Sequence, residues 1–143
     1  MGSADVRIEL GDWPRLRAEA EQIRFEVFVR EQKVPAEIEI DADDPRSLHA
    51  LARDAGGRAV GTGRLLPDGR IGRMAVRAEA RGHGVGSAIL QALIEAARQR
   101  GVREVVLHAQ QHAVAFYTRH GFVAEGEPFE EAGIAHQLMR RRL

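Results

Sequence analysis

Three glycines within five positions, Gly82, Gly84 and Gly86, constrain most strongly what this chain can fold into. They connect a short apolar segment, Ile71–Val76, to a segment with helical periodicity at residues 85–100. Because glycine has no Cβ, the main chain there can approach a ligand closely and turn several amides outward together. The start of the helix adds a partial positive charge. The pattern therefore predicts a cradle for phosphate or pyrophosphate between a strand and a helix.

Two common phosphate-binding loops do not fit this spacing. A P-loop requires Gly-x-x-x-x-Gly-Lys-Ser/Thr, but the only lysine of the chain is Lys33, far upstream. The dinucleotide fingerprint requires Gly-x-Gly-x-x-Gly, and its third glycine would fall on Ser87 or Ile89. The spacing therefore argues against a nucleoside triphosphatase, a kinase or a dinucleotide-dependent enzyme.

The loop Arg81-Gly82-His83-Gly84-Val85-Gly86-Ser87 has the form Arg-x-x-Gly-x-Gly, which resembles the acyl-CoA pyrophosphate loop of the GCN5-related N-acetyltransferases (GNAT). A second segment, Ala113 followed by Phe116-Tyr117 and Gly121-Phe122, resembles the later motif of that family. The resemblance covers residues 5–143 and implies a single N-acetyltransferase domain over residues 1–143. It also implies an α/β fold with a mixed, mostly antiparallel sheet of about seven strands and helices on both faces.

Two further stretches are similar to the ElaA/YjcF-like branch of this family. The first comprises residues 27–32 and 34–37 with Asp41 and His49, and the second comprises residues 131–139 near the end of the chain. This branch is poorly defined in substrate, so the similarity specifies the fold more closely than the acceptor.

The resemblance implies that the main chain makes most of the contacts to acetyl-CoA, the co-substrate. Amides of residues 82–87 would bind the pyrophosphate, and Arg81 would add charge beside it or cap the turn. The preceding strand would supply backbone groups to the pantetheine arm and an amide to the oxyanion. The expected acetyl-CoA contacts are Met74, Ala75, Val76, Arg81, Gly82, His83, Gly84, Val85, Gly86 and Ser87.

Transfer of an acyl group to an amine needs a proton donor and a base. A thiolate leaving group with a pKa of about 8.5 benefits from a donor, and a phenol keeps its proton at neutral pH. Tyr117, the only tyrosine, occupies the position of the family's donor.

A lysine-like amine is almost fully protonated at pH 7, so a base that removes a proton from it is useful. His136 is the first candidate, and Glu37, Asp41 and Glu31, acting through water, are the alternatives.

Two arginines are candidates for binding the acceptor: Arg24 on the first predicted helix and Arg73 on the central strand. Arginines bind carboxylate or phosphate in a bidentate manner, which predicts a small amine that also carries an anionic group. A surface position for Arg24 is an equal alternative.

His108 and His112 are weaker candidates for the base. Their spacing lacks the intervening glutamate of a metal-binding pair, so no metal site is expected.

Composition narrows the mechanism and the partners. The chain has no cysteine, which excludes an acyl-cysteine intermediate and favours direct attack by the acceptor in a ternary complex. The formal net charge is zero and no basic stripe is present, so no nucleic-acid partner is expected.

Without a long apolar run or a leader-like segment, we expect a cytoplasmic protein that does not bind membranes. A homodimer through an exposed sheet edge is compatible with the sequence, and a non-catalytic acyl-CoA sensor is the alternative function.

Local patterns predict most of the secondary structure. A helix is expected to begin near Pro14 and to carry apolar side chains as far as Phe28, and residues 32–46 are expected to form a loop. A second helix is expected at residues 85–100. The predicted strands are residues 6–10, 48–52, 58–66, 71–76, 104–109, 122–127 and 134–141.

Overall fold

The computed structural model describes residues 5–143. The strands are β1 (Arg7–Gly11), β2 (Leu48–Arg53), β3 (Ala59–Leu65), β4 (Ile71–Val76), β5 (Glu104–Gln110), β6 (Val123–Glu131) and β7 (Ile134–Arg142). The helices are α1 (Trp13–Arg24), α2 (Ala36–Glu39), α3 (Val85–Gln99) and α4 (Val114–Arg119). A π-helical segment (Phe25–Glu31) continues α1, and single 3-10 turns occupy Asp44–Arg46, Ala78–Ala80 and Gln111–Ala113.

The strands form two antiparallel sheets, in the orders β1-β2-β3-β4 and β5-β7-β6. One parallel bridge, between Arg70 and Val106, connects them, and the Val106 amide donates to the Gly69 carbonyl over 3.2 Å. Beyond this bridge, β4 and β5 diverge. The predicted α/β fold with seven mostly antiparallel strands is confirmed, and the divergence divides it into two sheets.

Helices cover both faces of the first sheet. On one face, α1 and the π-helical segment bury Leu16, Ile23 and Phe28 against Leu51 and other residues of the sheet. On the other face, α3 buries its apolar stripe against strands of both sheets. This arrangement explains the strong periodicity of α3, because a helix packed on a sheet presents one apolar face to it.

Glycines in β3 let α3 lie close to the sheet. A Cβ added at Gly61 would come within 2.8 Å of the Ile89 Cδ1 atom. A Cβ at Gly63 would lie 3.0 Å from Ile89 Cγ2 and 2.7 Å from Met74 Sδ. These separations are shorter than van der Waals contact, so larger residues would push the helix away from the strand.

The expectation of an irregular loop over residues 32–46 is wrong in part. The segment contains α2 and the turn Asp44–Arg46. Buried ion pairs attach it to Arg24 of α1 and to Arg64 of β3. Asp44 is completely buried and accepts hydrogen bonds from Arg24 and Arg64. Charged side chains therefore order a segment whose acidic and proline-rich sequence suggested a solvated loop.

Candidate active site

A cleft of about 650 Å³ opens where β4 and β5 diverge. Both strands, the end of the π-helical segment and the loop after α2 contribute to its wall. Several residues singled out in the sequence line it: Glu31, Asp41, Arg73, Met74, Ala75, Val76, Arg81, His108, His112, Tyr117 and His136. The cleft thus brings together side chains from both halves of the chain.

Strand β4 is distorted where it faces the cleft. Arg73 has a positive φ of 50°, and neither Arg73 nor Met74 has a register partner in β3. A non-glycine residue in this region costs about 1–3 kcal/mol and persists only where its surroundings hold it. Here the Arg73 side chain donates to the Glu39 carbonyl and to Asp41, each over 2.9 Å. The bulge interrupts the ladder and frees main-chain groups beside the cleft.

The glycine loop presents unpaired main-chain amides. Gly82 and Gly84 both have φ of 81°, and Gly84 is the N-cap residue of α3 without a side-chain cap. The first helical hydrogen bond runs from the Ala88 amide to the Gly84 carbonyl, so the preceding amides have no partner within the helix. A Cβ at Gly82 would meet no atom within 4 Å. The loop is therefore open to solvent and suited to an anion.

Arg81 contacts protein groups with its whole guanidinium. Its Nε donates to the Val76 carbonyl over 2.9 Å, and its two terminal nitrogens donate to the Glu31 carboxylate over 3.0 and 2.8 Å. Of the two roles expected from the sequence, these contacts favour stabilisation of the turn over a charge directed at the pyrophosphate.

Tyr117 lies on α4 and is 8% exposed. Its ring packs edge-on against Phe116 and Phe122, with centroids 5.0 and 5.8 Å away. Burial raises the pKa of the phenol to about 12, because a phenolate is poorly solvated there. The hydroxyl therefore stays protonated throughout the physiological range, as a proton donor requires.

His136 lies on β7 and is 6% exposed. Its Nδ1 atom is 2.7 Å from the Ile134 carbonyl oxygen, which can only accept, so Nδ1 carries the proton. In the neutral ring the lone pair is then on Nε2, which lies 3.9 Å from a carboxylate oxygen of Glu131. The ring stacks on Phe129, with centroids 5.9 Å apart. This tautomer is the one that can accept a proton at Nε2.

The other candidate bases have different surroundings. Asp41 accepts hydrogen bonds from Arg64 and Arg73. Burial raises its pKa, but the hydrogen bond and charge of Arg64 and the charge of Arg73 outweigh this effect, so the pKa lies below its usual value. Glu31 is paired with Arg81. Glu37 is exposed and does not line the cleft.

The expectation that Arg24 binds the acceptor requires a correction. Its side chain is 1% exposed, does not line the cleft, and donates to Glu39 and Asp44. A guanidinium buried among two carboxylates cannot reach an acceptor without leaving both of them unpaired. The sequence placed Arg24 on the first helix correctly but could not show these long-range partners. Arg73, in contrast, lines the cleft.

The sequence analysis overlooked Gln32, Gln110 and Glu131. The two glutamines line the cleft and exchange side-chain hydrogen bonds of 3.1 and 2.8 Å. Glu131 lies between two histidines, 2.9 Å from His108 Nδ1 and 3.9 Å from His136 Nε2. All three residues lie within or beside the motifs that carry the family resemblance. Their partners, however, depend on how β5, β6 and β7 pair.

Comparison with known proteins agrees with this geometry. Residues 16–143 match the family model of the acetyltransferase (GNAT) domain, and the chain belongs to this family. The uncharacterized N-acetyltransferase YjcF of Bacillus subtilis strain 168 is 42% identical over 123 residues, which are 83% of this chain and 87% of that protein. The chain is therefore an N-acetyltransferase of the acyl-CoA-dependent class, as the resemblance implied.

Solved structures support the same branch of the family. An acyl-CoA N-acyltransferase from Pseudomonas aeruginosa has a TM-score of 0.84 and 34% identity, covering 95% of this chain and 99% of that one. Escherichia coli ElaA also has a TM-score of 0.84, with 28% identity and the same coverage. YjcF and ElaA together confirm the predicted ElaA/YjcF-like branch.

Within residues 5–143, every helix is too short or too polar to traverse a lipid bilayer. The same residues contain no group of three or more histidine, aspartate or glutamate side chains arranged to hold a metal ion.

Proposed function

We propose that this N-acetyltransferase moves an acetyl group from acetyl-CoA directly to the amine of a small molecule, within a ternary complex. The observation that carries this proposal is the convergence of three features on one cleft. These are the distorted strand β4, the hydroxyl of Tyr117, and the imidazole of His136, whose Nδ1 donates to the Ile134 carbonyl and leaves Nε2 available. The absence of cysteine supports direct transfer, because no thiol can carry the acyl group.

Acetyl-CoA binding is assigned to the main chain. The free amides at residues 82–87 bind the pyrophosphate, helped by the positive end of α3. Residues 74–76 of β4 align the pantetheine arm, and an amide released by the bulge at Arg73 and Met74 stabilises the oxyanion. Removal of one such donor typically lowers kcat by about 10²–10³-fold.

Two side chains move protons in the chemical step. His136 Nε2 accepts a proton from the ammonium form of the acceptor. The amine nitrogen freed in this way attacks the thioester carbon and then loses its second proton to solvent. As the carbon–sulfur bond breaks, the electron pair goes to sulfur and Tyr117 donates its hydroxyl proton to the thiolate. The products are the acetylated amine and coenzyme A, and proton exchange with solvent restores His136 and Tyr117.

For the acceptor, we retain Arg73 as the contact to an anionic group. Its side chain is 26% exposed and lines the cleft. An acceptor carboxylate or phosphate would share the guanidinium with Asp41, which lies 2.9 Å away. An amino acid or an amino sugar phosphate has the required combination of amine and anion.

The direct test is release of free thiol when the protein is mixed with acetyl-CoA and a panel of amines. The panel pairs each amino acid with its decarboxylated amine and each amino sugar phosphate with the unphosphorylated sugar. Turnover with the anionic member of a pair supports the proposal in full. Tight binding of acetyl-CoA without turnover of any amine would instead indicate an acyl-CoA sensor.

A further inference from the structure

His120, at the end of α4, contacts both the start of α3 and strand β7. It follows the last residue of α4, and its Nε2 atom lies 2.9 Å from the Ser87 hydroxyl in the first turn of α3. Its carbonyl accepts a hydrogen bond of 2.9 Å from the guanidinium of Arg141 on β7. Arg141 also packs over the turn that follows, where a Cβ on Gly121 would be 3.3 Å from its Cδ and Nε atoms. These contacts hold the imidazole and the guanidinium at one surface.

This surface carries positive charge without carboxylate partners. Within residues 5–143, neither Arg119 nor Arg141 forms an ion pair, whereas the neighbouring Arg140 pairs with Glu104 and Glu125. The first turn of α3 also contains no acidic residue. Because the formal net charge of the chain is zero, this local excess is not a consequence of a generally basic composition.

The charges of both arginines affect the pKa of His120. Burial lowers the pKa of its imidazole, and the charges of Arg119 and Arg141 lower it further. A dianionic group bound at this surface would compensate the charges of both arginines and accept hydrogen bonds from them.

We propose that Arg119, His120 and Arg141 form a subsite for a phosphate monoester, the 3′-phosphate on the ribose of coenzyme A. The inference rests on the proposed function, since it takes the adjacent loop at residues 82–87 as the site of the diphosphate. In this arrangement main-chain amides bind the diphosphate, so the side chains of Arg119 and Arg141 remain available to bind a second phosphate. Arginine suits this role, because its planar guanidinium can bind two phosphate oxygens at once.

The experiment compares coenzyme A with 3′-dephospho-coenzyme A by calorimetry. We expect the wild-type protein to bind the dephosphorylated ligand about tenfold more weakly, the loss of one or two hydrogen bonds to a charged group. In Arg119→Ala and Arg141→Gln, the ratio of the two dissociation constants should fall towards one. Arg100→Ala is the control, because Arg100 is an exposed arginine at the opposite end of α3.

Each outcome has a distinct meaning. Equal affinity of the wild-type protein for both ligands overturns this inference and leaves the proposed function intact. A ratio that stays unchanged in Arg119→Ala and Arg141→Gln, or that falls equally in Arg100→Ala, also overturns it. If the wild-type protein binds neither ligand, the proposed function fails together with the subsite.

Discussion

Gln32 and Gln110 donate to each other's side-chain carbonyl, with hydrogen bonds of 3.1 and 2.8 Å, across the open end of the cleft. Gln32 directly follows the π-helical segment, and Gln110 is the last residue of β5. At the opposite end, the Arg70–Val106 bridge joins the two sheets. The cleft is therefore bounded at one end by a backbone bridge and at the other by a pair of amides.

The first prediction concerns this amide pair. Gln32→Ala leaves the partly buried amide of Gln110 without its partner, so we expect a loss of about 1 kcal/mol in the free energy of unfolding. Because the pair lies across the cleft, we also expect faster dissociation of acetyl-CoA. Urea denaturation and stopped-flow displacement measure the two effects, and Gln110→Ala completes a double-mutant cycle. Gln91→Ala on the exposed face of α3 is the control, and additive effects of the two cleft substitutions would contradict the coupling.

The second prediction concerns Tyr117. Tyr117→Phe keeps the ring contacts with Phe116 and Phe122 and removes only the hydroxyl. We expect turnover to fall by about 10²–10⁴-fold, the usual contribution of general acid catalysis, with little change in acetyl-CoA affinity. Steady-state kinetics and calorimetry separate the two quantities. A parallel loss of turnover and affinity would indicate that the hydroxyl has a packing role instead.

The third prediction concerns His136. His136→Ala removes the Nε2 lone pair and leaves a space beside Phe129, so we expect a marked loss of kcat with acetyl-CoA binding retained. Added imidazole should restore part of the activity, since it can enter this space and supply the missing base. His112→Ala is the control, because His112 also lines the cleft but is exposed. Retention of full activity by His136→Ala would exclude it as the base.

The fourth prediction uses two matched glycines. Gly82 and Gly57 both have positive φ, of 81° and 86°, and a Cβ at either would meet no atom within 4 Å. Substitution by alanine should therefore cost each about the same stability, roughly 1 kcal/mol. Only Gly82→Ala should weaken acetyl-CoA binding, because its methyl group projects into the proposed phosphate site. Equal affinities of the two variants would contradict the assignment of this loop.

The fifth prediction is that the folded protein loses stability in acid as Asp44 becomes protonated. Burial raises its pKa, but the hydrogen bond and charge of Arg24, the Asp41 amide and the charge of Arg64 outweigh this and lower it to about 2. Its pKa in the unfolded chain is about 3.9, so the ionised form is stabilised by folding. The resulting contribution is fully present above pH 4 and is lost as the pH falls towards 2.

Urea denaturation between pH 5 and pH 2 tests this prediction. The free energy of unfolding should decrease in the wild-type protein between pH 4 and pH 2. Asp54→Asn serves as a comparison, because Asp54 lies in the β2–β3 turn, away from the buried arginines. A wild-type stability that does not change with pH in this interval would contradict the ion-pair assignment.

The amino-acid sequence by itself determined the local features of this protein. The positive-φ turn at Gly82 and Gly84, the apolar face of α3 and the position of Tyr117 on a short helix all follow from spacing within a few residues. Such patterns reflect backbone geometry and periodicity, which neighbours along the chain control. They also carry the motifs from which the GNAT family is evident.

Only the tertiary structure decided which distant side chains meet. Arg24, expected to bind an acceptor, is buried with Glu39 and Asp44, and Gln32 pairs with Gln110, which lies 78 positions away. These contacts depend on how α1, the loop after α2 and the strands pack together. A charged or amide side chain has many partners of suitable chemistry in the sequence, and burial within one particular fold selects among them because an unpaired polar group in the interior is costly.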